Sequence, residues 1–330
     1  MTTYKGVKGF TVQTIAGDPP TPNIGQVWYN STSNTLKGTI AGTVGTWSSG
    51  GAMGTTRAQG AVAGTQTAGM VSGSSNPSGA SVNAEQYNGS SWSEVANLNV
   101  ARANQSGGGS QTSAINAGGY GGSPALYQTL TESWNGSSWS EVAEMSTGRV
   151  QAGGAGKTGD AVLVFGGEVS GGGSTANTEL WNGSAWTEVN NLNMARTQPG
   201  GGGSSTSAIA GAGHPGSGQT NDAETWNGTS WTEVANLNTP AEGRVGIADN
   251  NTSALIVGGR NPGYLALTES WNGSAWTEVA DMATARYNGS GVGGAIAGFF
   301  AGGSPSGVGG STTTEEWNVP QTVTNLVMTD

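Results

Sequence analysis

Polar and apolar residues alternate through TESWNGSSWSEV (131–142) on both sides of an Asn-Gly pair, a pattern that predicts two short antiparallel strands joined by a turn. Asn-Gly is the strongest short hairpin signal because both residues tolerate positive φ. Leu130–Trp134 and Trp139–Ala143 are therefore read as partner strands. The phrase returns. Copies begin at Glu85 (with Tyr87 for the first Trp), Glu132, Glu179, Glu224 and Glu269, and a stub, EEWN, begins at Glu315. Six residues after the second Trp stands Leu or Met, and an Arg follows four later, with a three-residue insertion before Arg244. Then comes a Gly-rich stretch such as QAGGAG (151–156) or NGSGVGG (288–294), and an apolar run ending in glycine such as AVLVFGG (161–167) or SALIVGG (253–259).

Each period of about 46 residues thus predicts four antiparallel strands, the signature of a β-propeller blade. The first, glycine-rich strand would line the axis, where only small side chains fit. The Trp-bearing strands would lie further out and fill the widening gaps, each buried indole contributing at most ~4–6 kcal/mol. The landmarks predict six blades. There are six arginines in the series (Arg57, Arg102, Arg149, Arg196, Arg244 and Arg286) and six inner aromatics (Tyr87, Trp134, Trp181, Trp226, Trp271 and Trp317). The outer series Trp92, Trp139, Trp186, Trp231 and Trp276 has five, and Trp47, six residues before Met53 and ten before Arg57, supplies the sixth. Trp47–Gly50 is therefore predicted to be the outer strand of the last blade, beside the strand ending at Trp317, so that the ring closes without a free edge.

Upstream, IGQVWYNSTSNTLKGTIAG (24–42) predicts one extra hairpin outside the repeat; an alternative places Trp28-Tyr29-Asn30 in the third strand of the sixth blade. The chain divides into an N-terminal attachment segment (1–46), an all-β propeller (47–319) and a C-terminal tail (320–330).

Composition narrows the chemistry. Hydrophobic residues make up 34% of the 330 and 60 residues are glycine, so the aromatics must supply much of the core. Charged residues amount to 10%, with a net charge of −10; with no basic patch, nucleic acid and anionic membrane surfaces are not expected partners. Cysteine is absent, which excludes disulfides and Cys-based metal sites. The N-terminal stretch has no signal-peptide h-region and no apolar run reaches the ~18 residues of a membrane span.

Catalytic candidates are few. The single histidine, His214, lies in GAGHPGSG and has no His or Cys to complete a triad or zinc site. Eleven of the 21 acidic residues occupy two repeat positions (Glu85, Glu132, Glu179, Glu224, Glu269, Glu315, and Glu94, Glu141, Glu188, Glu233, Glu278). An active site is made once, so these acids and the arginines are read as charge pairs and hydrogen bonds between strands or blades. The non-repeated acids Asp160, Glu168, Asp222, Glu242 and Asp249 show no pairing in the sequence. No cofactor or metal is expected. The five N-G-S/T matches to a glycosylation sequon are read as hairpin turns. Variation concentrates in the loops between second and third strands, whose binding candidates are Tyr120, Tyr127, His214, Arg260 and Tyr264.

The Gly-Gly pair closing the second strand, the aromatic of the third, the Trp of the fourth and the following Arg resemble the kelch repeat over residues 47–318; AIAGAGHPG (208–216) and MVSGSS (70–75) depart from it. GQVWYNSTSNTLKG (25–38) resembles segments of tail-fibre and other virion proteins of tailed, especially marine, bacteriophages. These resemblances imply a non-enzymatic virion structural or appendage protein. Residues 1–46 would attach it to other virion proteins, and the outward face would bind host-surface glycan or protein, or decorate the capsid; an oligomer is compatible with this. A bacterial surface adhesion protein is the alternative, followed by a sialidase-like hydrolase that uses the arginine ring.

Overall fold

The computed structural model describes residues 12–20, 25–42, 45–76, 79–121, 126–305 and 309–326. All their regular structure is β, with no helix. The chain forms two compact units, residues 1–45 with 319–330, and residues 46–318.

In the first unit the central strand Val27–Asn30 pairs in parallel with Gln13–Ile15 and antiparallel with Thr35–Ala41. The Trp28 side chain is fully buried. Asp18 accepts hydrogen bonds from Trp28 Nε1 (3.1 Å), Asn30 Nδ2 (2.8 Å) and Lys37 Nζ (2.8 Å). The lysine bond first, and the asparagine bond next, hold the Asp18 carboxyl below its ordinary pKa. The hairpin of Trp28 thus lies outside the repeat, and the third strand of the last sheet is Thr314–Asn318. The predicted tail (320–330) contains a strand: Gln321–Asn325 is the fourth of this unit, antiparallel to Thr35–Ala41, while 327–330 lie outside the described residues.

The second unit repeats one four-stranded antiparallel sheet. Taken in chain order from the first Arg, the third and fourth strands are Gly79–Tyr87 with Trp92–Val95, Thr131–Trp134 with Trp139–Val142, Thr178–Trp181 with Trp186–Val189, Ala223–Trp226 with Trp231–Val234, and Thr268–Trp271 with Trp276–Glu278. In the last sheet Thr314–Asn318 takes its partner from the other end of the unit: Thr46–Ser49 lies antiparallel to it, with Trp47 opposite Trp317. The repeated turn lies where expected, but Asn135 does not take the positive φ that the Asn-Gly pair suggested. The two tryptophans face each other across Asn135–Ser138, a four-residue loop. Only Gly136 has positive φ (+95°). Asn135 instead uses its side chain, Oδ1 accepting from the backbone N–H of Ser137 and Ser138 at 2.9 Å each.

Successive first strands pack backbone to backbone. A methyl group on Gly154 would lie 2.4 Å from Gly107 O, and one on Gly246 2.5 Å from Gly201 O, so glycine is a condition of the packing. Ser290 Oγ donates to Gly60 O at 2.9 Å, joining the last first-strand to the earliest. Further out the inner tryptophans fill the space between sheets, all at most 3% exposed. Leu163, Phe165, Ala208, Ala210, Trp226 and Trp231 form one such layer.

The outer tryptophans tie neighbouring sheets through a polar contact. Trp186, Trp231, Trp47 and Trp92 Nε1 donate to Oγ1 of Thr131, Thr178, Thr268 and Thr314, each threonine opening the third strand of the preceding sheet. Two sheets carry alanine there, Ala84 and Ala223. Trp276 compensates with Ala235 O (2.9 Å). Trp139 Nε1, facing the Ala84 sheet, is buried without a partner. Ala84→Thr is therefore expected to stabilise the protein by about 1 kcal/mol, raising the melting temperature by about 2–4 °C. Calorimetry of the two proteins checks it, with Ala223→Thr as the control that gains little.

Candidate functional site

Each landmark arginine is buried against the glutamate that opens the repeated phrase. Arg57–Glu85, Arg102–Glu132, Arg196–Glu224, Arg244–Glu269 and Arg286–Glu315 have N–O distances of 2.7 Å, and Arg149 pairs with Glu179. The guanidinium also caps carbonyls. Arg196 Nη1 reaches Ala212 O (3.2 Å) and Asp222 O (2.7 Å), and Arg102 Nη1 reaches Leu130 O (2.8 Å). The second carboxylate oxygen accepts from the backbone of the incoming connection, as Glu132 Oε2 does from Asn99 N (2.8 Å) and Glu224 Oε2 from Asn193 N (2.7 Å). Burial pushes the pKa of Arg102, Arg149, Arg196, Arg244 and Arg286 down against the opposing pull of the carboxylates. The second acidic series, including Glu141 and Glu233, is exposed. The charges of the first series act as cross-links that position the connections.

Those connections carry the feature the sequence hid. Two residues after five of the six arginines stands Gln or Asn: Gln59, Asn104, Gln151, Gln198 and Asn288. All five have left-handed backbone, φ +54° to +60°, and the displaced Gly243 has φ +63°. Left-handed backbone is uncommon outside glycine, and here the hydrogen bonds enforce it. Asn288 N donates to Gly243 O, Gln59 N to Asn288 O, Asn104 N to Gln59 O, Gln151 N to Asn104 O and Gln198 N to Gln151 O, at 2.8–3.2 Å. This arc of backbone rims a cavity of about 120 Å³ lined by the amide side chains and by the starts of the first strands. The signal in the sequence is an Arg-x-Gln/Asn repeat, hidden because Gln151 and Asn288 also begin the glycine-rich stretches. Towards the opposite end, Lys157 reaches from its own sheet to Ala248 O (2.9 Å), Asp249 Oδ1 (3.4 Å) and Gly293 O (3.5 Å).

The loop candidates fall into separate groups on the side of the arginine connections. Arg102–Ala103 pairs with Tyr120–Gly121, Thr197 with His214, and Glu242 with Arg260. Tyr120 is 44% exposed and meets Tyr127 edge-on, with ring centroids 6.1 Å apart. Arg260 pairs with Glu242 and stacks over the ring of Tyr287, 5.1 Å from its centroid. Tyr264 packs on the same ring at 5.2 Å. Tyr287, beside the mouth at Asn288, was missing from the sequence candidates. His214 stands apart, its Nδ1 accepting from Gly216 N (3.1 Å). Four of the five non-repeated acids find partners: Glu168 accepts from the Tyr127 hydroxyl, Glu242 binds Arg260, Asp249 meets Lys157, and Asp222 Oδ1 accepts from Asn236 Nδ2 (2.9 Å).

Two tyrosines report on these ties. The hydrogen bond to Glu168, with burial second, pushes Tyr127 up to about 12; burial first, and the bond to Glu316 second, pushes Tyr87 up to about 12. A phenol near pKa 10 when unfolded and 12 when folded keeps its proton in the native state, so its stabilisation is whole below pH 10 and is lost as pH rises towards 12. Phenolate absorbance is expected to show these two groups titrating late, and Tyr127→Phe is expected to remove one of them.

No family model matches the chain, and no curated protein matches it. Among solved structures, that of a protein named YjhT superposes with a TM-score of 0.69, covering 83% of this chain and 99% of its own, at 14% identity. The fold is β-propeller-like. At that identity the likeness extends to architecture alone.

Proposed function

We propose that the repeat unit is a closed six-bladed propeller of kelch type, with Thr46–Ser49 supplying the outer strand of its last blade. We propose further that the protein is a non-enzymatic binding or structural component of a phage particle. The observation that carries the binding reading is that one side of the unit gathers the variable loops and the amide-lined cavity. The six repeated arginines, meanwhile, are buried in ion pairs with glutamates, and of them only Arg244 lines the cavity. That second fact weighs against a sialidase-like use of the arginine ring. The closed ring is supported by the pairing of Trp47 with Trp317 and by the contact between the last first-strand and the earliest.

On this reading the ligand is a neutral or polar host-surface glycan, and the N-terminal unit holds the chain to other virion proteins. The phage assignment rests on the likeness of residues 25–38 to virion segments. Immunogold electron microscopy with antibody to the purified protein is expected to label phage particles. Label on tail fibres or tip points to host recognition, label on the capsid to decoration. Unlabelled particles would overturn the virion assignment and favour a bacterial surface protein.

A further inference from the structure

One junction between sheets differs from its neighbours. Elsewhere apolar side chains fill the gap between consecutive sheets, as Ile115 and Ala117 do against Val162 and Val164, or Ile209 against Ala254 and Ile256. Between the Gly79–Tyr87 sheet and the Thr131–Trp134 sheet Ala63 and Met70 also pack on Ala114, Trp134 and Trp139, but a polar group lies beside them. Asn116 Nδ2 donates to Ser72 Oγ (3.0 Å) and Gln105 Nε2 to Ser72 O (2.7 Å). Buried oxygens there and at the adjoining mouth have no partner: Ser74 Oγ, Asn104 Oδ1, Gln105 Oε1 and Asn116 Oδ1, with Ser106 Oγ, also unpaired, facing Gly154 of the next sheet. Gln105 and Ser106 are each 6% exposed, and with Asn104 they line the amide-rimmed cavity. From another sheet Arg244, 3% exposed, lines the same cavity; its Nε–H is unpartnered, as are those of Arg102 and Arg286, but of the three only Arg244 lines the cavity.

Buried polar groups are satisfied in native proteins, so an unpaired cluster marks a place where something else supplies the bonds. The kinds of group missing define what that is. Arg244 Nε is a donor only, an amide oxygen is an acceptor only, and a serine hydroxyl is either. A carboxylate ligand would serve the donor and repel the amide oxygens. A metal ion would serve the oxygens and meet Arg244; the described residues moreover offer no cluster of His, Cys, Asp or Glu to hold one. The Arg244 charge is already balanced by Glu269 Oε1 at 2.7 Å. Hydroxyl groups serve both kinds. We infer that the cavity and its polar junction form a binding site for a neutral polyhydroxylated ligand, either a sugar residue or a free polyol. It enters between the amides of Gln59, Asn104, Gln151, Gln198 and Asn288 and hydrogen-bonds to Gln105, Ser106 and Arg244. This deepens the glycan-binding reading and rests on it for the source of the sugar.

The test is titration of the full chain, by calorimetry and ligand-observed NMR, with methyl glycosides of glucose, galactose, mannose and N-acetylglucosamine, and with glycerol as the free polyol. At least one probe is expected to bind. Gln105→Met is expected to weaken binding about tenfold, the loss of one good hydrogen bond. Since Gln105 also bridges to Ser72, Gln151→Gly serves as a second variant that keeps the left-handed backbone and is expected to weaken binding as well. Tyr120→Ala, in the loops, is expected to leave it unchanged. Binding of a glycoside without glycerol identifies a sugar-specific site, and binding of both a general polyol site. Glycan binding that survives Gln105→Met and Gln151→Gly but fails with Tyr120→Ala overturns the cavity site and leaves the glycan reading standing. No binding by any probe overturns the cavity site, and then the unpaired groups are served by water alone.

Discussion

Arg196→Met is expected to cost about 3–5 kcal/mol, because it strands a buried carboxylate. Arg196 and Glu224 are both fully buried, and their 2.7 Å contact is the only ion pair that either makes among the described residues. Removing the guanidinium leaves the Glu224 charge without compensation and the carbonyls of Ala212 and Asp222 without donors. Glu224 also holds the Asn193 N–H, so disturbing it loosens the connection between two sheets. At 2–4 °C per kcal/mol, roughly, the melting temperature should fall by about 10 °C. Glu224→Gln keeps the acceptor for Asn193 and loses only the charge, yet it leaves Arg196 buried and unpaired, so it too is costly. Arg196→Met with Glu224→Gln removes both charges and should cost clearly less than the sum of the two single changes. Additive costs in thermal unfolding would show that the pair is not coupled, and the reading of this arginine as a cross-link would fall.

The same pair shows what a single sequence discloses. The recurrence of Glu224 and Arg196 at fixed places in each period was enough to assign them to architecture, since side chains repeated in every sheet meet the same surroundings each time. Their partner identity followed from geometry that the spacing does not carry. The hairpin was legible because alternation has a period of two. The place of its turn was legible too, but not that Asn135 keeps an ordinary φ and works through its side chain across the four residues. The mouth was illegible for a different reason. Gln59 and Gln198 look like ordinary polar residues, and only the backbone arc discloses their left-handed conformation. Contacts such as Lys157 with Gly293 or Tyr127 with Glu168 join different repeats. No local pattern encodes them.

Departures from the repeat cluster around the cavity. Gly243 replaces an amide because three inserted residues shift Arg244, and the shifted arginine turns to Ile256 O (3.2 Å). Ser72 and Asn116 replace apolar filling at one junction. Fold maintenance asks for sameness in each sheet, so positions that abandon the pattern at a stability cost are where binding is expected to have shaped the sequence.

A chain beginning at residue 51 is expected to melt about 10 °C below one beginning at residue 45, although both lack the N-terminal strands Gln13–Ile15, Val27–Asn30 and Thr35–Ala41. The difference between them is Thr46–Ser49, the strand laid antiparallel on Thr314–Asn318. Trp47 is half-buried, packs on Trp317 with ring centroids 5.5 Å apart and donates from Nε1 to Thr268 Oγ1 at 3.0 Å. Partial burial of an indole is worth ~2–3 kcal/mol, the aromatic pair ~1 kcal/mol, and the fall in melting temperature follows from ~2–4 °C per kcal/mol. Loss of this strand also bares the edge of a sheet whose Glu315 holds Arg286, so the truncated chain should associate as well as melt early. A rescue separates strand loss from general damage. Joining residues 47–52 after Asn318 through Gly-Ser-Ser imitates the four-residue turn that the other sheets use, and should restore the higher melting temperature to the chain that starts at residue 53. Equal melting of the two truncated chains would mean that the strand contributes nothing measurable, and the proposed closure of the ring would fail with it. Recovery by the relocated strand would mean that the last sheet needs a fourth strand and is indifferent to which end of the chain provides it.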